Sequence, residues 1–298
     1  MPGKRSPLNP MKPYRYLDAT GIIPYNMTND YIFRIVLQEN PFALKGLVCA
    51  LLHKKKSDIR DIRILNPIFP GDSVKDKEFR MDLRVQLPDR LLNLEMQIDN
   101  KDDWPSRSLT YLSREFDHLE HGRKYRETME VHQIVFLGYT LFPDHPVFYA
   151  TYRMMDVRDH YLYSDKFTIS VVELGQIKLA TDEDRRYKID QWVRFMKAST
   201  WEEIKMIAHA NPVMESAAES LYLSNEEYNV RKVALEREEA LWERQRDKER
   251  IKSLAKENTE QASTITEQAS TINEQASTIT EQAARIAELE AQLAAKET

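Results

Sequence analysis

Hydrophobic and polar positions alternate between residues 79 and 99, in two runs that are separated by Pro88-Asp89. Successive side chains of a β-strand point to opposite faces, so this alternation predicts strands with one buried face. Proline followed by aspartate is typical of a turn. The two runs therefore predict an antiparallel hairpin. Its hydrophobic face comprises Phe79, Met81, Leu83, Val85, Leu87, Leu92, Leu94, Met96 and Ile98.

The register of this hairpin decides which polar side chains meet. If the strands pair across a two-residue turn, Asp82 lies opposite Glu95 and Arg80 lies opposite Gln97. A shift by one residue would bury one set of charged side chains, so the hydrophobic faces select a register with this alternation. The sequence therefore predicts that two carboxylates face each other.

Two facing carboxylates repel each other unless a cation lies between them or one of them is protonated. Mg²⁺ binds one or two carboxylates together with water and substrate phosphate, and Asp82 and Glu95 meet that demand. The alternative is an ordinary antiparallel sheet whose polar face is in contact with water. The alternation alone leaves both interpretations open.

The rest of the first 211 residues alternates between helical and strand patterns. A helix that starts at a Thr28 or Asn29 N-cap and bends near Pro41 is predicted to reach His53, and another helix starts near Pro105. The remaining patterns predict strands over 61–67, 131–142, 147–155 and 167–174, and helices over 189–196 and 201–210.

Asp82, followed by Glu95-Met96-Gln97 after a short hairpin, resembles the D…(D/E)XK signature of PD-(D/E)XK nucleases, with glutamine in place of the final lysine. The sequence around this signature carries a more specific resemblance. The segments that carry the resemblance are Thr28 to Phe33, Lys77 to Leu83, Glu95 to Ile98, Arg107 to Leu109 with Tyr111, and Gly122 with Tyr125. Over about residues 25 to 200 the chain resembles the Rpn family of recombination-promoting nucleases, which are grouped with transposases.

The resemblance implies an α/β fold: a restriction-endonuclease-like core in which a mixed central sheet is flanked by helices. It also implies a DNA endonuclease that depends on Mg²⁺, or on Mn²⁺ as a substitute, and acts in recombination or mobile elements. Asp82, Glu95 and the backbone carbonyl of Met96 would bind the metal. Gln97 would orient the attacking water but brings no positive charge. The implied substrate is double-stranded DNA.

Three arginines are candidates for binding DNA phosphates. Arg80 lies on the hairpin, and Arg107 and Arg114 share a face of the helix that starts near Pro105. In the family fold this helix packs beside the catalytic hairpin. The predicted buried stripe of the same helix comprises Leu109, Leu112, Phe116 and Leu119. The alternative is that the arginines only keep the surface soluble.

Asp30, near the start of the first predicted helix, has two interpretations. Its charge is favourable at the positive end of the helix dipole. It is also a possible additional acid of the metal site, as first-helix acids are in some related nucleases. The sequence does not decide between them.

Composition narrows the functional classes. A net charge of −5 counts against a nucleic-acid-binding surface that covers much of the protein. A local basic groove is compatible with this net charge. The single cysteine, Cys49, excludes an intrachain disulfide. No segment approaches eighteen consecutive apolar residues, so we expect a cytoplasmic protein without a membrane partner.

The last part of the chain repeats near-identical heptads, QASTITE and QASTINE. A strict seven-residue repeat predicts a left-handed coiled coil over about residues 251–295 and a homo-oligomer, with a dimer favoured and a trimer not excluded. One frame places isoleucines at position a and Asn258 among them; another places alanines at a. A weakly helical, solvated tail is the alternative, because β-branched threonine and polar glutamine lower the stability of an isolated helix.

The predicted organisation is an extended N-terminal arm over 1–24, a nuclease-like domain over 25–211 and a helical extension over 212–298. Three functions remain, of which a structural coiled-coil adaptor with an unrelated globular head is the weakest. One is the Mg²⁺-dependent endonuclease. Another is a catalytically weak or inactive nuclease fold that acts as an oligomeric DNA-binding or interaction module, which Gln97, the acidic charge and the long tail favour.

Overall fold

A six-stranded mixed sheet forms the centre of the computed structural model, which describes residues 14–66, 68–69, 79–100, 103–116 and 128–294. The strand order is β1-β4-β5-β6-β8-β7, where β5, β6 and β8 are parallel and the other pairs are antiparallel. A separate ribbon joins β2 to β3. The strands are β1 (Arg63–Leu65), β2 (Ile68–Phe69), β3 (Phe79–Arg80), β4 (Leu83–Gln86), β5 (Arg90–Gln97), β6 (Glu130–Leu137), β7 (Tyr149–Met155) and β8 (Leu162–Glu173).

Eight α-helices accompany the sheet: α1 (Asp30–Glu39), α2 (Pro41–Leu51), α3 (Trp104–Phe116), α4 (Asp182–Arg186), α5 (Ile189–Lys197), α6 (Trp201–Ala208), α7 (Pro212–Glu226) and α8 (Tyr228–Ala294) within the described residues. Together the elements give the predicted α/β fold, in which helices flank a mixed central sheet and a long helix follows towards the C-terminal end.

Two asparagines cap the N-termini of the first two helices, α1 and α2. The side chain of Asn29 accepts hydrogen bonds from the backbone N–H groups of Tyr31 and Ile32, so the predicted N-cap is confirmed. The single bent helix predicted as far as His53 is wrong. Asn40 leaves the helical conformation, with φ −123° and ψ 84°, and caps a new helix by accepting from the Ala43 N–H.

The main hydrophobic core lies on one face of the sheet, where Leu92, Leu94 and Met96 of β5 contact the layer of α1, α2, α5, α6 and α7. A smaller core on the other face joins Trp104 of α3 to Val135 of β6. Since side chains alternate across a strand, Glu95 belongs to the α3 face. The sheet thus places the polar side of the hairpin under α3.

The buried stripe of α3 differs from the prediction. Leu109 is 55% exposed, whereas the buried residues are Trp104, Ser108, Tyr111, Leu112 and Glu115. The buried side of α3 is rotated relative to the predicted stripe, because α3 covers a sheet face that carries charged side chains. The helix therefore buries polar side chains that pair with these charges. The other end of the predicted stripe, Leu119, lies outside the described residues.

Residue contacts divide the chain into one unit that ends at Glu239 and a second that begins at Ala240. α7 belongs to the first unit and packs against α1, α2 and α6; Gly46 of α2 allows the close approach of Val213. The predicted boundary at residue 211 therefore falls inside the first unit.

Residues 14–24 of the predicted N-terminal arm also pack on this unit: Arg15–Asp18 form a 3-10 turn, and Tyr16 is buried in the main core. Residues 1–13 lie outside the described part. Among the described helices, none is long and apolar enough to cross a lipid bilayer.

Candidate active site

The hairpin of β4 and β5 adopts the predicted register. Leu83 pairs with Leu94, and the Leu87 N–H donates to the Arg90 carbonyl at 2.9 Å across the turn. Extended by one residue beyond β4, this register sets Asp82 opposite Glu95. The predicted facing of the two carboxylates is therefore present in the structure.

Arg80 does not continue this ladder. The backbone turns away between β3 and β4, and Arg80 pairs with Ile68 of β2 instead of Gln97. The predicted position of Arg80 opposite Gln97 is thus wrong, because the first strand of the hairpin is interrupted at Met81 and Asp82. The side chain of Arg80 lies outside the described residues.

Two hydrogen bonds lock the acidic pair across the strands. The backbone N–H of Asp82 donates to Oε1 of Glu95 at 3.2 Å, and the backbone N–H of Met96 donates to Oδ2 of Asp82 at 2.9 Å. Each carboxylate is thus held by the backbone of the opposite segment. This crossed arrangement fixes the two side chains beside each other just before β4 begins.

Burial makes charge on this pair costly. Glu95 is only 2% exposed. Burial raises the pKa of the Asp82 carboxyl to about 7, and the nearby charge of Asp30 contributes in the same direction. Burial, followed by the charge of Asp82, raises the pKa of Glu95 well above its ordinary value. Near neutral pH, the pair therefore needs either protons or a cation.

The donor set fits a hard divalent cation. The Gln97 carbonyl accepts from the Gly138 N–H on the β6 side, so the preceding carbonyl, that of Met96, points to the Asp82 side. Two carboxylates and one carbonyl are oxygen donors of the kind Mg²⁺ binds, with water and phosphate completing its shell. Among the described residues, no group of three or more His, Cys, Asp or Glu side chains is placed to hold a metal.

Arg107 of α3 reaches the same site. Its Nη1 donates to Oε1 of Gln97 at 3.0 Å, its Nε donates to the Tyr111 hydroxyl at 2.9 Å, and its Nη2 lies 3.9 Å from Oε2 of Glu95. The Gln97 amide also donates to the Asp99 carbonyl at 2.6 Å. Both ends of the Gln97 amide thus contact protein groups, and its oxygen orients the guanidinium.

Arg114 lies seven residues after Arg107 on α3, about 10 Å further along the helix axis. Its neighbour Glu115 is buried and accepts from Nη2 and Nε of Arg84 at 2.7 and 3.0 Å. This ion pair joins α3 to β4, two residues after Asp82. It therefore fixes the helix that carries Arg107 over the hairpin.

The start of α1 also borders the acidic pair. Asp30 is the first residue of α1, and its charge influences the pKa of Asp82, as does the charge of Arg34 one turn later. Oδ2 of Asp30 lies 4.0 Å from Nη1 of Arg237 in α8. The sequence reasoning missed both arginines.

A helix spacing of four between Asp30 and Arg34 was a usable signal for the first of them. Arg237 follows Asp30 by about two hundred residues, and no local pattern links the two.

A mixed α/β sheet that carries an acidic pair on adjacent antiparallel segments matches the arrangement of a PD-(D/E)XK nuclease core, with Gln97 in place of the final lysine. A family model described as PD-(D/E)XK nuclease family transposase matches residues 27–251, which is most of the chain. The protein belongs to this family, and the predicted family resemblance is confirmed. No curated protein matches the chain significantly.

Proposed function

We propose that the protein is a Mg²⁺-dependent DNA endonuclease that hydrolyses phosphodiester bonds of double-stranded DNA. The observation that carries this proposal is the crossed hydrogen bonding that holds the Asp82 and Glu95 carboxylates side by side. The family membership supports a nuclease. An association with recombination or mobile elements follows from the family description alone.

Asp82 and Glu95 would hold the divalent cation, Mg²⁺ or Mn²⁺, together with the Met96 carbonyl. When bound, such a cation polarises the scissile phosphate and lowers the pKa of an attacking water. The hydrogen bonds from the backbone keep both carboxylates in place before the metal and the DNA arrive. Asp30 is a possible further acid at the edge of this site, although its contact with Arg237 also gives it a structural role.

Arg107 would supply the positive charge that a lysine brings at the Gln97 position of the family signature. Its guanidinium lies near Glu95 and is anchored by Gln97 and Tyr111. A fixed guanidinium stabilises the charge that develops on a transferred phosphoryl group. We assign Gln97 the role of positioning Arg107, and Arg114 a more distant phosphate contact.

A plasmid assay tests the proposal. Supercoiled plasmid is incubated with the wild type in Mg²⁺, in Mn²⁺ and in EDTA, next to Asp82→Ala and Glu95→Ala. Metal-dependent nicking that both substitutions abolish supports an endonuclease. Equal background cleavage by all three proteins refutes it.

The second candidate is a catalytically weak or inactive nuclease fold that binds DNA as an oligomeric module. The neutral side chain of Gln97 favours this candidate, because it leaves the site without the lysine of the signature. Retention of DNA binding with no metal-dependent cleavage in the plasmid assay would select it.

We further propose that the second unit of the chain pairs with a second copy. In α8, Ile265, Ile272 and Ile279 are 62–65% exposed and recur every seven residues. A stripe with this repeat is buried in a two-stranded coiled coil, where Asn258 at the same heptad position would fix the register.

A further inference from the structure

A basic cleft lies on the sheet face opposite the Asp82–Glu95 pair, between the end of α2 and the turn that joins α4 to α5. Its volume is about 380 Å³. Its floor includes Ala50, Trp192 and Met214. Five of its lining residues are cations, and none of the lining residues that the structure describes is a carboxylate. The cations are Lys54, Lys55, Lys56, Arg186 and Lys188.

A neighbouring cleft of about 400 Å³ shares Lys188 with the first cleft as a lining residue. The second cleft adds Arg185 and Arg194 to the basic residues. Asp190 lies 3.9 Å from Nε of Arg194 and partly balances its charge. The two clefts, called the basic track below, together present seven basic side chains. Positive charge that is spread over two neighbouring clefts favours an extended polyanion over a compact anion.

The two segments that carry most of the track cations are in direct contact. The ring of His53, just after α2, stacks on Tyr187 at 4.7 Å with an interplanar angle of 10°. His53 and Lys188 both have left-handed backbones, with φ 51° and 65°. Such backbone strain in residues with a Cβ is concentrated at functional sites. The stack joins the two segments that carry the cations.

Nearby acids neutralise only part of the cluster. Nζ of Lys54 lies 3.4 Å from Asp89, and Nη1 of Arg185 lies 3.3 Å from Oδ1 of Asp182. Glu183 lies 3.6 Å from the ring of His53. Asp58 accepts from the backbone N–H of Lys55, not from its ammonium group. In the described part of the chain, no carboxylate lies within ion-pair distance of the remaining cations: Lys55, Lys56, Arg186 and Lys188. A bound polyanion would relieve their mutual repulsion.

We propose that this basic track binds the phosphate backbone of DNA at a second contact, separate from the cleavage site. The choice of DNA rests on the proposed function. Lys54 contacts the hairpin turn at Asp89, six residues before Glu95, which corresponds to about 20 Å along β5. The track therefore holds a different segment of DNA from the one at the acidic pair.

Fluorescence anisotropy of a labelled duplex, measured in EDTA so that no cleavage occurs, tests this proposal. Lys55→Gln combined with Lys56→Gln removes two exposed cations. The affinity should fall roughly tenfold, and the dependence of log K on log salt should weaken by about two units. The matched control, Lys205→Gln on α6 with Lys232→Gln on α8, removes the same charge from residues that line neither cleft. It should bind like the wild type.

Lys188→Gly gives a second variant that should keep the stability of the fold, because glycine adopts the left-handed backbone without strain. It should bind duplex about threefold more weakly while its thermal midpoint stays equal or rises. Equal affinities for the wild type, the track variants and the control would overturn the proposal. Weaker binding of inorganic phosphate by the variants with unchanged duplex affinity would also overturn it.

The duplex-binding test and the cleavage test can succeed or fail separately. If no metal-dependent cleavage is found but duplex binding depends on the track, the proposed nuclease activity fails and the second contact stands. If cleavage depends on Asp82 and Glu95 while the track substitutions leave the duplex affinity unchanged, the nuclease activity stands and the second contact fails.

Discussion

The backbone N–H of Asp82 donates a hydrogen bond to Oε1 of Glu95 at 3.2 Å, so the two acids of the candidate site are linked through the main chain as well as by their charges. A change at Glu95 therefore alters the position of Asp82. Amide substitutions, which keep the size of each side chain and remove its charge, separate the loss of metal binding from a collapse of the hairpin.

Stability without metal should fall as the pH rises. Burial raises the pKa of Asp82 to about 7 and that of Glu95 well above normal, so the folded state binds more protons than the unfolded state. The stability that these groups contribute is complete below their unfolded pKa values and is lost as the pH rises through about 7.

Thermal unfolding in EDTA between pH 5 and pH 8 measures this loss. The midpoint of the wild type should fall by roughly 5 °C more than that of Asp82→Asn with Glu95→Gln. Mg²⁺ should restore the wild-type midpoint at pH 8 and leave the double variant unchanged. Parallel pH profiles of the two proteins would contradict the raised pKa values.

Gln97 and Arg107 should act as one unit. Gln97→Leu removes the acceptor that orients the guanidinium, and Arg107→Ala removes the guanidinium itself. Each should lower the single-turnover cleavage rate by about tenfold or more, and the double variant should be no slower than Arg107→Ala. A loss of rate in the double variant that equals the product of the two single losses would show that Gln97 acts directly on the substrate or water.

The buried ion pair between Arg84 and Glu115 should stabilise the docking of α3 on the hairpin. Arg84→Ala leaves the Glu115 carboxylate buried without its partner, which costs about 3–5 kcal/mol. Urea denaturation measures this cost. Arg84→Met with Glu115→Leu, which replaces both charges, should cost much less; an equal loss in both variants would mean that packing, not charge, dominates.

The coiled-coil proposal predicts a dimer that depends on the isoleucine stripe. Ile272→Asp with Ile279→Asp should make the full chain monomeric in sedimentation velocity at micromolar concentration, because charges would enter the seam. Ser270→Asp with Ser277→Asp places the same charges on the opposite side of the helix and should leave the dimer intact. A monomeric wild type would refute the pairing.

Local patterns predicted the parts of the site that depend on local rules. The alternation of Leu83 to Leu87 with Leu92 to Met96 has one register that buries the apolar set, and the structure has that register. The Asn29 cap needs only two neighbouring N–H groups. Features of this kind are decided within a few residues.

The remaining parts depend on distant partners. Leu109 was expected in a buried stripe, but α3 covers a charged sheet face, so the helix turns Tyr111 and Glu115 inward instead. Arg237 reaches Asp30 only because α8 returns to the start of α1. The departure of Arg80 into the β2–β3 ribbon likewise depends on a partner strand that no alternation pattern identifies.

The most direct test of the cleavage site is the single-turnover nicking rate of supercoiled plasmid as a function of Mg²⁺ concentration, for the wild type, Asp82→Asn and Glu95→Gln at equal protein concentration. Circular dichroism confirms that all three are folded. We predict a wild-type rate that saturates with Mg²⁺ and falls by at least about a hundredfold in either variant. Equal rates in the three proteins, or a wild-type rate that is unchanged by EDTA, would contradict the assignment of Asp82 and Glu95 as the metal-binding pair.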